Sequence, residues 1–425
     1  MDKGHSASHN GSGAVMGSKR LKAVAVAKGS RRVSVNDSER LKRVKTRGGL
    51  NTVGGVYSSY LSGTGTLPVK NYTTSCWTIE KDTVQMFGEK YIRDHFKSGP
   101  SPCWACPANH CNMMSIVEGP YKGMVVEEPE YEQLAAWGPV IDNKDVASAF
   151  MLSGVCDKLG FDNNEAGWLV GWVMECYEKG YLTKEDTCGL EMTWGNVEAV
   201  RQLLYMIAHR QGIGDLLAEG VMRASQKVGG EAAECAIYTK KGNSPRGHDH
   251  RSRWGEMFDT VVSNTGTLET HVSVMTPQAA GRGHPMATSL EVATTKGLME
   301  LEDSAVTCRF HTGMNAEVIS EAVSAVTGWD FTPEEAKAVG LRAVNLMKAF
   351  NIRCGIKKEH DYPSERYGST PQDGPSKGIS IMPHWETMLS NYYTLMGWDP
   401  ETGIPLRETL ENLGIGHVYE DLEEF

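Results

Sequence analysis

Three of the ten cysteines, Cys103, Cys106 and Cys111, fall within nine positions of the 425-residue chain, in the run CWACPANHC. Thiolates packed that closely hold metal. A zinc site wants four ligands in paired spacing, yet the near candidates for a fourth are only His110, set among the thiols, and Cys76, and a second Cys-x2-Cys pair is absent. Three close thiols with a remote fourth cysteine suit an iron-sulfur cube instead. Incidental buried thiols are the third reading. Apart from Cys308, the other cysteines stand singly, at Cys76, Cys156, Cys176, Cys188, Cys235 and Cys354. Cys156 directly precedes DKLGFD (157–162), a turn between two helices where unpaired backbone groups and carboxylates converge; it reads equally as a core thiol. His248 and His250 in RGHDHR form either a metal dyad or, with Asp249 and the surrounding arginines, an anion site.

Helices must carry these groups. Asp162 to Gly180 predicts a helix capped by Asp162 and boxed by Glu165, with Leu169, Trp172, Val173, Cys176 and Tyr177 on one buried face. Trp194 to Val228 predicts two more, broken at Gly212-Ile213-Gly214 with Asp215 as the next cap, and Thr332-Pro333 opens another. The glycine-rich stretch Gly4 to Lys19 reads as a turn-forming loop, and Leu21 to Ala27 alternates as a short strand. Few other alternating runs occur, which predicts a mainly α protein.

No apolar run approaches the roughly 20 residues of a membrane span, and the start lacks a secretory apolar core, which predicts a cytoplasmic protein with reduced thiols. Net charge is −10, but the first fifty residues hold twelve Lys and Arg against three Asp and Glu, or +9, leaving −19 for the remainder. That basic arm lacks interleaved aromatics, so it reads as a solvated face or phosphate cradle, with no nucleic-acid partner.

Several ordered segments resemble the tungsten-containing aldehyde ferredoxin oxidoreductase family. They are GAVMGSKRLKAVAV at 13–26, like the pterin-binding loop and strand; Cys103-x2-Cys106 with a third cysteine; PEYE at 129–132; Asp157 to Asp162, like the first pterin motif DxxGLD; MECYEKG at 174–180; WG at 194–195; GDLLAEGV at 214–221; and DSAVTC at 303–308, like the second motif DxxGLC. The likeness runs from about residue 4 to the ETLENLGI segment at 408–415. It implies a tungsten (or molybdenum) bis-pyranopterin beside a 4Fe-4S cluster ligated by Cys103, Cys106, Cys111 and Cys308. Asp157, Asp162 and Asp303 would be buried carboxylates accepting from pterin N–H groups, and the Ala14 carbonyl would help bind a bridging magnesium.

The implied architecture is two helical domains of this family's type with only the last loop and strand of the N-terminal β domain. The expected boundaries are 1–35 for that remnant, 36–232 for the helical domain with the cluster and first pterin motif, and 233–425 for the domain with the second motif and fourth cluster cysteine. The expectation is either a fragment with a misplaced start or a missing half carried on another chain. Two further departures are a fourth residue between the second and third cluster cysteines and Val306 where the family has glycine.

Within the family, GPYKG at 119–123, EEPEYE at 127–132, PRGHDHRSRW at 245–254 and SNTGTLET at 263–270 are most similar to the catalytic subunit of class II benzoyl-coenzyme A reductase. That branch implies a cysteine thiolate on tungsten, for which Cys156 is the position, and proton donors His110, His271 and Glu130. Each donor has a structural reading: a sulfur hydrogen bond for His110, exposure after a turn for His271, a helix cap for Glu130. The alternatives are aldehyde oxidation coupled to ferredoxin, with Glu130 or Glu132 and a histidine moving protons, and a non-catalytic electron relay. Expected partners are a ferredoxin or ferredoxin-like iron-sulfur subunit and an aldehyde or acyl-coenzyme A substrate, with homo- or hetero-oligomers plausible.

Overall fold

A computed structural model of the chain describes residues 11–27, 29–30, 33–47, 65–103, 106, 111–270 and 285–425. The protein is mainly helical. Among the described residues there is one sheet of three short antiparallel strands, β1 (Lys97–Pro100), β2 (Asn112–Ser115) and β3 (Val125–Glu127), in that order, with Pro100 opposite Asn112 and Met113 opposite Glu127. No helix is long and apolar enough to cross a membrane among the described residues.

The helices around the sheet start and stop for local reasons. Asp145 accepts from the amides of Ala147 and Ser148 and opens the helix Val146–Leu159, which Gly160 ends at φ 78°. Asp162 accepts from Glu165 N at 2.9 Å and opens Asn163–Glu178. The expected capping box is only half made: Glu165 is drawn away to the amides of Val221 (2.6 Å) and Ser244 (3.2 Å). The helix is also buried on all sides from Ala166 to Cys176, where one apolar face is predicted. Its tryptophans show why: Trp168 donates to the Pro245 carbonyl and Trp172 to that of Ala232, so partners lie on several sides. The 194–228 stretch forms three helices, Val197–Ala208, Ile213–Leu217 and Gly220–Val228, and Gly212 takes the cap position expected for Asp215, whose carboxylate pairs with Arg210. Thr332 and Glu335 do complete a reciprocal box ahead of Pro333–Arg353.

Ser12–Ser18 is helical where a loop is predicted, and Leu21 to Ala27 forms no strand. Alternation alone does not make a strand; it needs a ladder, and among the described residues nothing pairs with this segment.

One main core holds Trp137, Trp168, Trp172, Trp385 and Trp398, drawing on helices from both halves of the chain. Where Leu298–Ala305 meets Pro333–Arg353 the backbones touch: a Cβ on Gly340 would lie 1.9 Å from the Gly297 carbonyl oxygen. Gly340→Ala is therefore expected to destabilise the fold by about 1–3 kcal/mol through overpacking, seen as a lower denaturation midpoint with unchanged slope.

Charges are also buried. Lys296 binds Asp259 at 2.6 Å and Glu269 at 3.3 Å, and the neighbouring Glu300 is pushed up to about 8 by burial and then by Glu269, against the opposing pull of Lys296. Between the ordinary value of 4.5 and about 8 the folded chain keeps a proton that the unfolded chain loses, so this group's contribution falls as pH rises through that window. Glu300→Gln cannot ionise and is expected to flatten that decline between about pH 5 and about pH 8, read from chemical denaturation midpoints. An undiminished decline in the variant would place its origin elsewhere.

Candidate metal and cofactor site

The β1–β2 connection is the three-thiol run. Ser101 N donates to the Cys111 carbonyl at 2.9 Å and closes the loop base, and Cys106 N donates to the Cys103 carbonyl at 3.0 Å in a tight turn. Cys103 is exposed; Cys106 and Cys111 are half-buried. Burial, then the charges of Glu127, Cys103, Glu130 and Cys106, push the Cys111 thiol up to about 12. Cys111 thus feels the other two thiols, and a cationic centre would favour its ionisation. His110 and His271 lie outside the described residues.

Directly after β3, Glu130 caps the helix Tyr131–Trp137, with its amide donating to Gln133 Oε1 at 2.6 Å. Glu130 is exposed, as the capping reading expects. Glu132 in the first turn lies 3.8 Å from Arg246 Nη1. Burial raises the Glu132 carboxyl, but Arg246, His248 and Arg309 outweigh it and hold the group below its ordinary range. Arg309 in turn is lowered by burial and by Arg246. Arg246 and Arg309 both act on Glu132, and guanidiniums so gathered have the chemistry that fits a pterin phosphate. Sequence reasoning placed Arg246 among the arginines of RGHDHR but did not single out Arg309, although Arg309 directly follows Cys308.

The two DxxG-like motifs prove to be the same local structure. Helix Val146–Leu159 ends with Gly160 N donating to the Asp157 carbonyl (3.1 Å) and Phe161 N to that of Cys156 (3.1 Å). Helix Leu298–Ala305 ends with Val306 N donating to Asp303 (3.2 Å) and Thr307 N to Glu302 (3.0 Å). Both are left-handed caps of the Schellman type. Val306 holds φ 55° there, an unusual conformation for a β-branched residue. Each cap delivers a chemical residue two positions on: Asp162, and Cys308 at the N-cap of Arg309–Thr312.

The predicted pterin acceptors are placed unevenly. Asp157 is buried and already accepts from Asn163 Nδ2 at 2.8 Å, with Gln133 Nε2 at 3.5 Å; Asp162 is half-buried, and Asp303 is exposed. Cys156 sits wholly inside the main core, its thiol pushed well up by burial and then by Asp157 and Asp162, an environment that favours the protonated core thiol. Ala14 lies in the exposed helix Ser12–Ser18. Two of the three arginines of RGHDHRSR are spoken for: Arg251 clamps Asp249 at 2.6 and 2.8 Å, and Arg253 holds Glu256. That removes them as a free anion cradle.

Residues 32–415 match the family profile "Aldehyde ferredoxin oxidoreductase, domains 2 & 3". The tungsten-containing aldehyde ferredoxin oxidoreductase of Pyrococcus furiosus is 32% identical across 99% of this chain and 71% of its own length. Its Thermococcus kodakarensis counterpart is 32% identical over 98% and 70%. The WOR-like subunit of an aliphatic sulfonate oxidoreductase from P. furiosus is 32% identical over 99% and 68%. Among solved structures, the active-site complex of benzoyl-coenzyme A reductase bound to 1,5-dienoyl-CoA shares the fold, with a TM-score of 0.76 and 20% identity over 97% of this chain and 70% of that one.

The Arg246–Glu132 pair generates a test. Arg246→Met is expected to cost about 1–2 kcal/mol of stability, the lower part of the range for a buried charge that loses its partner, since both side chains keep some solvent contact. Adding Glu132→Gln should recover much of that loss; additive effects in the double-mutant cycle would show the two groups do not interact.

Proposed function

The chain belongs to the aldehyde ferredoxin oxidoreductase family and is an oxidoreductase, and from this we propose that it is a tungsten-pterin, iron-sulfur subunit that reduces an aromatic acyl-coenzyme A with low-potential electrons. The observation that carries the cofactor reading is the hairpin connection that brings Cys103 and Cys106 close enough to act on Cys111, with a helix start after it that also feels Arg309.

When bound, the pterin metal supplies two-electron chemistry and the cluster passes electrons singly. The chain's own part is positional. Cys103, Cys106, Cys111 and Cys308 hold the iron. Arg246 and Arg309 meet a pterin phosphate, and Asp157, Asp162 and Asp303 accept from pterin N–H groups around the two helix caps. The Ala14 carbonyl is the proposed contact to magnesium. Glu130, His110 and His271 are the proposed proton donors. Cys156 is the proposed thiolate ligand of tungsten, a structural core thiol being the other reading of its burial. Electrons arrive from a ferredoxin or ferredoxin-like iron-sulfur subunit docked near the cysteine loop.

The aromatic thioester reading is supported by the segments at 119–123, 127–132, 245–254 and 263–270. A second reading, aldehyde oxidation to carboxylate, is favoured by the 32% identity to aldehyde ferredoxin oxidoreductases. Anaerobically purified protein is expected to contain iron, acid-labile sulfide and tungsten, and to lose iron and colour in Cys111→Ser and Cys308→Ser. Electron-transfer assays with benzoyl-coenzyme A and with simple aldehydes separate the two substrates. Aldehyde turnover without thioester reduction overturns the first reading, and iron without tungsten or molybdenum overturns both.

A further inference from the structure

We propose that His248, His250 and Glu256 form a separate binding site for a divalent transition-metal ion of the zinc or ferrous class. Their ligand atoms all lie within 4.8 Å of one another. Glu256 Oε2 is 3.0 Å from His248 Nδ1 and 3.3 Å from His250 Nε2. A tetrahedral ion with bonds of about 2.0–2.1 Å spaces its ligand atoms roughly 3.3 Å apart, so the cage needs little adjustment.

A plain buried ion pair is the competing explanation, and the hydrogen bonds speak against it. His248 Nδ1, His250 Nε2 and Glu256 Oε2 are all buried, yet none completes a hydrogen bond of acceptable geometry. His250 is 1% exposed and Glu256 4%, where an unused lone pair is costly. The outward-facing atoms of His250 and Glu256, by contrast, are engaged. His250 Nδ1 is 2.6 Å from the Tyr367 hydroxyl, and Arg253 donates to Glu256 Oε1. Engaging the far side of a ligand and leaving the near side bare is how an outer shell aims metal ligands.

The surrounding backbone is fixed in the same sense. The Tyr72 hydroxyl donates to the His248 carbonyl and accepts from His250 N at 3.0 Å, so one side chain ties both ligand residues. Asp249, between them, is held by Arg251 and by Ser75 Oγ at 2.9 Å. Glu256 comes from the helix Trp254–Val262, so the ligands are built on two consecutive elements. Two imidazoles and one carboxylate select zinc, iron or cobalt over magnesium or calcium and leave at least one coordination position open. His248 also stacks on Tyr131, with ring centroids 4.4 Å apart, which sets this site beside the helix that flanks the cluster loop.

The purified full chain, equilibrated with zinc or anaerobically with ferrous ion and then dialysed, is expected to retain one extra divalent ion. Glu256→Gln and His250→Ala should lose that ion and keep the wild-type iron-sulfide and tungsten content. Cobalt(II) gives a direct spectroscopic view: visible d–d bands without a near-ultraviolet sulfur-to-cobalt band mark nitrogen and oxygen ligands and exclude the cysteine loop. Tyr367→Phe, which keeps the packing, is expected to weaken zinc binding by about 10–100-fold. Retention of zinc, iron and cobalt by Glu256→Gln at the wild-type level, or failure of the folded wild-type chain to retain any of the three, overturns the proposal. Because this readout is metal content, it stands or falls independently of which substrate is reduced.

Discussion

Two thiols and two carboxylates crowd the space around Cys111, and this concentration of acids governs the rest of the site. Burial first, and then neighbouring negative charge, holds the Cys111 proton in place to about 12. Ionising Cys111 in the bare loop is therefore unfavourable, and a cationic cluster is what would favour it. A free loop would relieve the repulsion by opening. Here the β1–β2 ladder and the Ser101–Cys111 bond clamp its base, which explains why the described residues spend their one sheet on this connection. β3 then delivers the chain to the helix Tyr131–Trp137, whose start gathers the compensating charge of Arg246 and Arg309 around Glu132.

Much of this was legible in the sequence because it is local. Asp162 as a cap, the helix start at Thr332-Pro333 and the mainly α character depend on residues a few positions apart, and each is found. Legibility failed where a distant partner decides. Glu165 has the spacing for a capping box but satisfies amides 56 and 79 positions away, because a buried carboxylate does better with two buried donors than with one exposed turn. Leu21 to Ala27 has the alternation of a strand without a ladder to join. The histidine pair stood out by its spacing, whereas Glu256 did not, since nothing in RGHDHRSRWGE shows that the next helix turns its first carboxylate back toward the imidazoles.

The two left-handed caps carry a similar lesson at a larger scale. The first motif places glycine at the position that requires positive φ; the second places valine there, and the backbone nevertheless takes the same conformation. Val306 is 91% exposed, so its side chain gains nothing from packing that would offset the local cost of order 1–3 kcal/mol. The strain is tolerated because the Val306–Asp303 and Thr307–Glu302 bonds, together with Glu302 accepting from Met314 N at 2.9 Å, fix the turn on both sides. The departure from glycine thus leaves the delivery of Cys308 intact, and the shared cap geometry is a stronger likeness between the two motifs than their letters.

The buried charges near Glu300 bear on the same question of delivery. Asp259 accepts from the amides of Glu269 (2.7 Å) and Thr270 (2.9 Å) with one oxygen and from Lys296 Nζ (2.6 Å) with the other. Lys296 also reaches Glu269. One carboxylate therefore pins the residues immediately before His271 to the helix Trp254–Val262, and its cation partner lies just past the end of Pro285–Thr295. A hydrophobic contact could bury the same area, but it would slide; a carboxylate with three directed donors fixes position to a fraction of an ångström. The same helix supplies Glu256 near its start and Asp259 one turn on, so the proposed metal cage and the anchor of the 270 segment share one rigid support. A displacement of that helix would move both at once.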